Sequence, residues 1–169
     1  MGVGKTTIGR VLAELLHLEF FDSDREIEVS TGADIPWIFD VEGEEGFRHR
    51  ETRMIDLLSS KQAIVLATGG GAVVASENRE RLKARGVVVY LQSPISQQVE
   101  RTSRDKNRPL LKTSNPEQKI RELMLIREPL YQEIADISVD TYHRNPRAVS
   151  QEISRQLNSF DGHRSETSE

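Results

Sequence analysis

The chain has 169 residues and a mass of 19.2 kDa, the size of one domain that buries a core around a single sheet and too short for a second full domain. With 36% hydrophobic and 30% charged residues and a net charge of -4 it has a globular, water-soluble make-up, and the acidic balance argues against broad nucleic-acid binding. The absence of cysteine excludes disulfides and thiolate metal sites, and the lack of a membrane-length or signal-like apolar run makes the cytoplasm the expected location.

Ile8, Val11, Leu12, Leu15 and Leu16 recur at helical spacing, which predicts a helix from Thr6 to about His17, directly after glycines. Leu18 to Phe21 reads as a short strand ending at Asp22. Short helices are expected over Asp24–Thr31 and Ile35–Asp40, broken by Gly32 and Gly43. Phe47, Glu51, Met54, Ile55 and Leu58 then place a stripe on a longer helix from about Glu44 to Ser59.

Ala63–Ala67 is apolar throughout, as a strand covered on both faces of a parallel sheet should be, and it empties into Gly69-Gly70-Gly71. A helix over Ser76–Arg85, a strand over Val87–Leu91 and a helix over Ile95–Thr102 follow. Ser103–Asn115 is polar and basic and reads as an exposed mobile loop. Two helical stretches are expected around Pro129, then a strand over Ile137–Asp140 and a helix from Pro146 to about Asn158, with a frayed polar tail from Ser159 to Glu169. Strands alternating with helices imply an α/β domain with a parallel sheet.

Gly2-Val3-Gly4-Lys5-Thr6-Thr7 has the form of the end of a Walker A loop. Such a loop needs glycines so that backbone N–H groups crowd around phosphates, a lysine to reach the β- and γ-oxygens, and a hydroxyl to bind Mg²⁺ at a helix N-terminus. Lys5 and Thr6 suit the last two roles. The full pattern carries another glycine five residues ahead of Gly4, beyond Met1, so that glycine and the strand feeding the loop are absent from this chain. A flexible start followed by an ordinary helix is the bland alternative.

Asp22-Ser23-Asp24 falls where a strand hands over to a helix, at the sheet edge where open α/β folds bind ligands. One carboxylate can hold Mg²⁺ through water and the other can accept a hydroxyl proton. The same residues also read as a capping box, Ser23 with Glu26. Gly69-Gly70-Gly71 is either a plain turn or a close backbone approach to a ligand.

Taken in order, these pieces resemble the shikimate kinase family. The resemblance runs to about Asn158 and includes Glu42-Gly43-Glu44-Glu45-Gly46-Phe47-Arg48-His49-Arg50-Glu51, Arg108-Pro109-Leu110-Leu111, Arg127-Glu128-Pro129-Leu130-Tyr131 and Arg144-Asn145-Pro146. It implies a P-loop three-layer sandwich whose parallel sheet has the order 2-3-1-4-5, with the first, central strand absent here. It divides the chain into a kinase-like domain over 1–158, with a substrate-binding part at about 24–51 and a lid at about 103–115, and a tail over 159–169.

The implied reaction is ATP- and Mg²⁺-dependent phosphorylation of the 3-hydroxyl of shikimate by a monomer. The resemblance assigns Arg48 and Arg127 to the substrate carboxylate, Asp24 to the ring hydroxyls and the role of base, and Gly69, Gly70 and Gly71 to substrate contact through backbone. It assigns Gly2, Val3, Gly4, Lys5, Thr6 and Thr7 to the phosphates, Arg108 to a lid over them, Arg101, Arg144 and Pro146 to the adenine side, and Thr6 with Asp22 to the metal. Lys5, Asp24 and Arg108 form the implied catalytic set. Alternatives are another small-molecule P-loop kinase, such as a gluconate kinase, or a nucleotide-binding remnant without turnover.

Overall fold

A computed structural model describes residues 2–102, 109–111 and 113–166. Helix α1 (Lys5–Leu16) follows the glycine loop and ends at His17 in a left-handed cap, whose N–H reaches the carbonyls of Ala13 and Glu14. Strand β1 (Glu19–Asp22) leads into α2 (Ser23–Thr31), then α3 (Ile35–Ser59) and β2 (Ile64–Ala67). After α4 (Ser76–Arg85) come β3 (Val89–Gln92), α5 (Ile95–Thr102), α6 (Pro116–Ile134), β4 (Ile137–Asp140) and α7 (Pro146–Glu166). Short 3-10 turns occupy Ala72–Val74 and Pro109–Leu111.

All strand pairing is parallel, as the apolar run of β2 implies, but it falls into two separate pairs among the described residues. β1 pairs with β2, with Phe21 opposite Leu66, and β3 pairs with β4, with Leu91 opposite Val139. Between β2 and β3 lies a slot of about 430 Å³, lined by residues of both strands and by Ile8, Leu12 and Ile153. Helices α1 and α7 bridge the two pairs: Ile8, Leu12, Val149 and Ile153 are buried with Ile137 and Val139, and Val65, Val89 and Leu91 pack against them. A second cluster, Ile27, Ile38 and Phe47, ties α2 to α3.

The break expected at Gly43 is present: within α3 that residue takes φ 73 and ψ -178, a non-helical conformation open to glycine and strained for other residues, so two helical stretches meet there at a kink. Three local expectations are corrected. Pro129 lies inside a single helix rather than between two. Its missing N–H frees the carbonyl of Leu125, and Leu125 is 79% exposed, so water can take up that bond. Asp22, not Ser23, caps α2: its side chain accepts from the N–H groups of Asp24 and Arg25. The last helix continues past Asn158 to Glu166.

Candidate active site

The start of the chain folds as a phosphate-binding loop should. Gly2 and Gly4 take φ of 67 and 89, and no side chain caps the α1 N-terminus, whose first-turn N–H groups are the natural partners of an anion. A side chain at Gly2 would meet the Gln98 carbonyl at 3.0 Å, so only glycine lets the loop lie this close to α5. Arg101, in the last turn of α5, donates to the Gly2 carbonyl at 3.2 Å and so stands beside the loop. Val3 is buried, Lys5 is half-buried, and Thr6 and Thr7 are exposed.

Sixteen residues separate Thr6 from Asp22, yet the Thr6 hydroxyl donates to Asp22 Oδ2 at 2.7 Å. The other oxygen of Asp22 serves as the α2 cap, so one carboxylate locks the β1–α2 turn and reaches the P-loop hydroxyl. A hydroxyl and a carboxylate paired beside a phosphate cradle are the hard oxygen donors that Mg²⁺ prefers, so the residues present fit that ion. Ser23 Oγ accepts from the Gly69 N–H at 3.0 Å, which draws the glycine run against the start of α2.

That contact assembles the second half of the site. A side chain on Gly69 would come within 2.6 Å of Asp24 Oδ1 and 2.7 Å of Glu51 Oε1, and one on Gly71 would collide with the Arg48 guanidinium. The glycine run is therefore a close approach as well as a turn. Arg48 donates to Glu51 at 2.6 Å and to Glu44 at 3.1 Å. Arg127 is only 4% exposed, and Tyr131, one turn further along α6, donates from its hydroxyl to the Gly70 carbonyl at 2.5 Å. Asp24, Arg48, Gly69, Gly70, Gly71 and Arg127 thus converge from α2, α3, the loop after β2, and α6.

The electrostatics of this cluster are unbalanced. Burial lowers the pKa of Arg127, and the charge of Arg48 lowers it further against the opposing pull of Tyr131 and Glu51. Burial also works to lower Arg48, but Glu51 and Glu44 outweigh it and the net shift is upward. Burial raises Glu51, while Arg48 and Arg127 draw it back down. Arg48 is matched by Glu51 and Glu44, whereas Arg127 is buried with no ion pair of its own among the described residues, in surroundings where a charge is costly unless matched.

Arg144 stands at the β4–α7 junction, where it pairs with Glu152 at 2.6 Å and donates to the Asp140 carbonyl at 3.2 Å, and Pro146 opens α7. Arg108 and most of the expected lid lie outside the described residues. Glu51 and Tyr131 were missed as site residues. The available signal for Glu51 was a carboxylate on the apolar stripe of α3, three residues from an arginine; Tyr131 stands one helical turn from Arg127.

A glycine cradle at a helix N-terminus, a hydroxyl–carboxylate pair and a separate pocket with two partly or fully buried arginines define a small α/β P-loop phosphotransferase. The shikimate kinase family model matches residues 1–158. A shikimate kinase of Alteromonas mediterranea is 61% identical over 153 residues, covering 90% of each chain. One from Acinetobacter baumannii is 59% identical over 153 residues, 90% of this chain and 85% of that protein. The solved structure described as shikimate kinase from Acinetobacter baumannii in complex with shikimate superposes with a TM-score of 0.93 at 57% identity, covering 94% of this chain and 89% of that one. The chain belongs to the shikimate kinase family, and its activity is that of a kinase of aromatic biosynthesis. Gluconate kinase, the alternative P-loop reading, is set aside by these matches.

Proposed function

We propose that the chain transfers the γ-phosphoryl of ATP to the 3-hydroxyl of shikimate, with Arg48 and Arg127 gripping the acceptor's carboxylate. The observation that carries this is the pair of guanidiniums brought near each other from α3 and α6, Arg48 paired with Glu51 and Glu44 and Arg127 buried beside them. Two planar guanidiniums can each bind a carboxylate through parallel hydrogen bonds and thereby fix one face of a ring. The backbones of Gly69, Gly70 and Gly71 lie against that ring because no side chain intervenes. Asp24, whose carboxylate lies against Gly69, orients the ring hydroxyl and takes its proton as the O–P bond forms.

On the nucleotide side, the backbone of Gly2, Val3, Gly4 and Thr7 and the ammonium of Lys5 hold the phosphates. Thr6 and Asp22 would hold Mg²⁺, Asp22 through water, and the ion would supply charge neutralisation at the phosphates. Arg101 flanks the nucleotide at the loop, while Arg144 and Pro146 take its adenine side. Arg108, on a lid spanning about 103–115, adds a positive charge over the transferring group when the lid excludes water. Phosphoryl transfer asks mainly for positioning and charge balance, which this set provides.

We further infer a three-layer architecture in which the β2–β3 slot accepts one more parallel strand, giving the order 2-3-1-4-5. Two facing strand edges and an apolar lining support this reading. The domain comprises 1–158 with a tail over 159–169, acts as a monomer and resides in the cytoplasm; among the described residues no helix is long and apolar enough to cross a membrane.

Coupled ATP turnover with shikimate, compared in wild type and Arg127→Ala, tests the assignment. The variant should raise the KM for shikimate by at least about tenfold, since charge-assisted hydrogen bonds are lost, and leave the KM for ATP within about twofold. Equal losses toward both substrates would contradict the carboxylate clamp.

A further inference from the structure

Tyr131 follows Arg127 by one turn of α6, so both side chains leave the same face of the helix. The Tyr131 hydroxyl donates to the Gly70 carbonyl at 2.5 Å, and the buried Arg127 guanidinium stands near enough to the phenol to pull its pKa down against burial. A phenol can donate one bond and accept another, so with its proton directed to Gly70 the Tyr131 oxygen keeps lone pairs for a neighbouring donor such as the Arg127 guanidinium. The ring is held as well. It stacks on Tyr90 of β3 with centroids 5.0 Å apart and an interplanar angle of 26°.

Gly70 follows β2, whereas Tyr90 belongs to β3, so Tyr131 touches both halves of the divided sheet. Arg48 and Glu51, on α3, are the other charged groups near enough to act on the tyrosine's titration, one lowering and the other raising its pKa, and neither offers the Gly70 carbonyl a substitute donor. Burial keeps the phenol protonated, which a donor to a carbonyl requires.

We propose that Tyr131 is a positioning residue for substrate binding: its hydroxyl sets the Arg127 guanidinium and the Gly70 peptide in a common orientation before the acceptor's carboxylate arrives. This inference rests on the assignment of Arg127 and Gly70 to the acceptor. Preorganised donors pay less on binding than donors that must be ordered by the ligand, so the hydroxyl acts on acceptor affinity and not on the nucleotide.

Tyr131→Phe keeps the ring and its stacking and removes the hydroxyl alone. The expected result is a rise of about tenfold in both the KM and the calorimetric Kd for shikimate, with the KM for ATP and kcat within about twofold of wild type. Tyr131→His, which keeps a ring donor and acceptor, should recover part of the loss. Arg127→Ala measured alongside separates the two readings. If Arg127→Ala leaves shikimate binding intact, the clamp itself falls; if Arg127→Ala weakens it and Tyr131→Phe does not, only the role of Tyr131 falls. A Tyr131→Phe protein that fails to fold, or whose KM values for both substrates move together, with Tyr131→His behaving the same, marks the hydroxyl as structural and overturns the inference.

Discussion

Glu51 occupies a position on the α3 stripe otherwise held by Phe47, Ile55 and Leu58, and it is 1% exposed. Its Oε2 accepts from Arg48, whereas Oε1 has no hydrogen-bond partner among the described residues and faces Gly69. Burial raises its pKa above the ordinary carboxylate value of 4.5, with Arg48 and Arg127 pulling the other way. An acid with a raised folded-state pKa holds a proton that the unfolded chain has already released. Its contribution to stability is therefore full below the ordinary value and is lost as pH rises through the raised one. Relative to Glu51→Gln, which cannot ionise, the wild type should lose thermal stability as pH climbs from about 4 into the raised range. Parallel melting curves across that range would show it, and a constant difference between the two proteins would contradict it. The stripe was legible at this position, but the environment of the carboxylate was not, because the two arginines and Gly69 that surround it come from three different parts of the chain.

Among the elements, the turn after β2 has the least freedom. The Gly69 N–H is held by Ser23, and the space beside its Cα is taken by the carboxylates of Asp24 and Glu51. Gly69→Ala must push one of them aside, and overpacking of this kind costs ~1–3 kcal/mol. Both a lower melting temperature and a higher KM for shikimate are expected, because the displaced groups lie in the pocket proposed for the acceptor; a variant matching wild type in both would show that the approach is loose. Local signals served unevenly here. α4, α5 and β4 fall where spacing and propensity placed them, since an apolar period or run is a property of the segment alone. The α2 cap went to Asp22 over Ser23 because Ser23 is buried against Gly69, a contact forty-six residues away in sequence. Pro129 breaks no helix because its neighbours on α6 are anchored by Ile120, Arg127 and Ile134, all buried.

At the scale of the molecule the slot between β2 and β3 is the dominant feature. Among the described residues both strands turn an unpaired edge toward it, and unmade backbone hydrogen bonds next to apolar surface are costly. Joining an extended stretch of five Val/Ile-type residues ahead of Gly2 should raise the melting temperature. Each apolar side chain it buries contributes ~1.5–3 kcal/mol before the entropy of ordering is subtracted. Amide exchange should slow at Val65, Leu66 and Val89–Leu91 as the edges pair. Unchanged melting and exchange would show that the slot does not admit a strand.

The sequence by itself determined the phosphate loop, the α/β alternation and the ordered set of motifs that marks the family, because each is carried by residues close together along the chain. Only the tertiary structure decided that Thr6 meets Asp22, that Gly69 and Arg127 come up to Glu51, and that Tyr131 spans the two halves of the sheet. Those contacts join residues from separate elements, and no local period or propensity encodes which faces will meet when the helices pack over the strands.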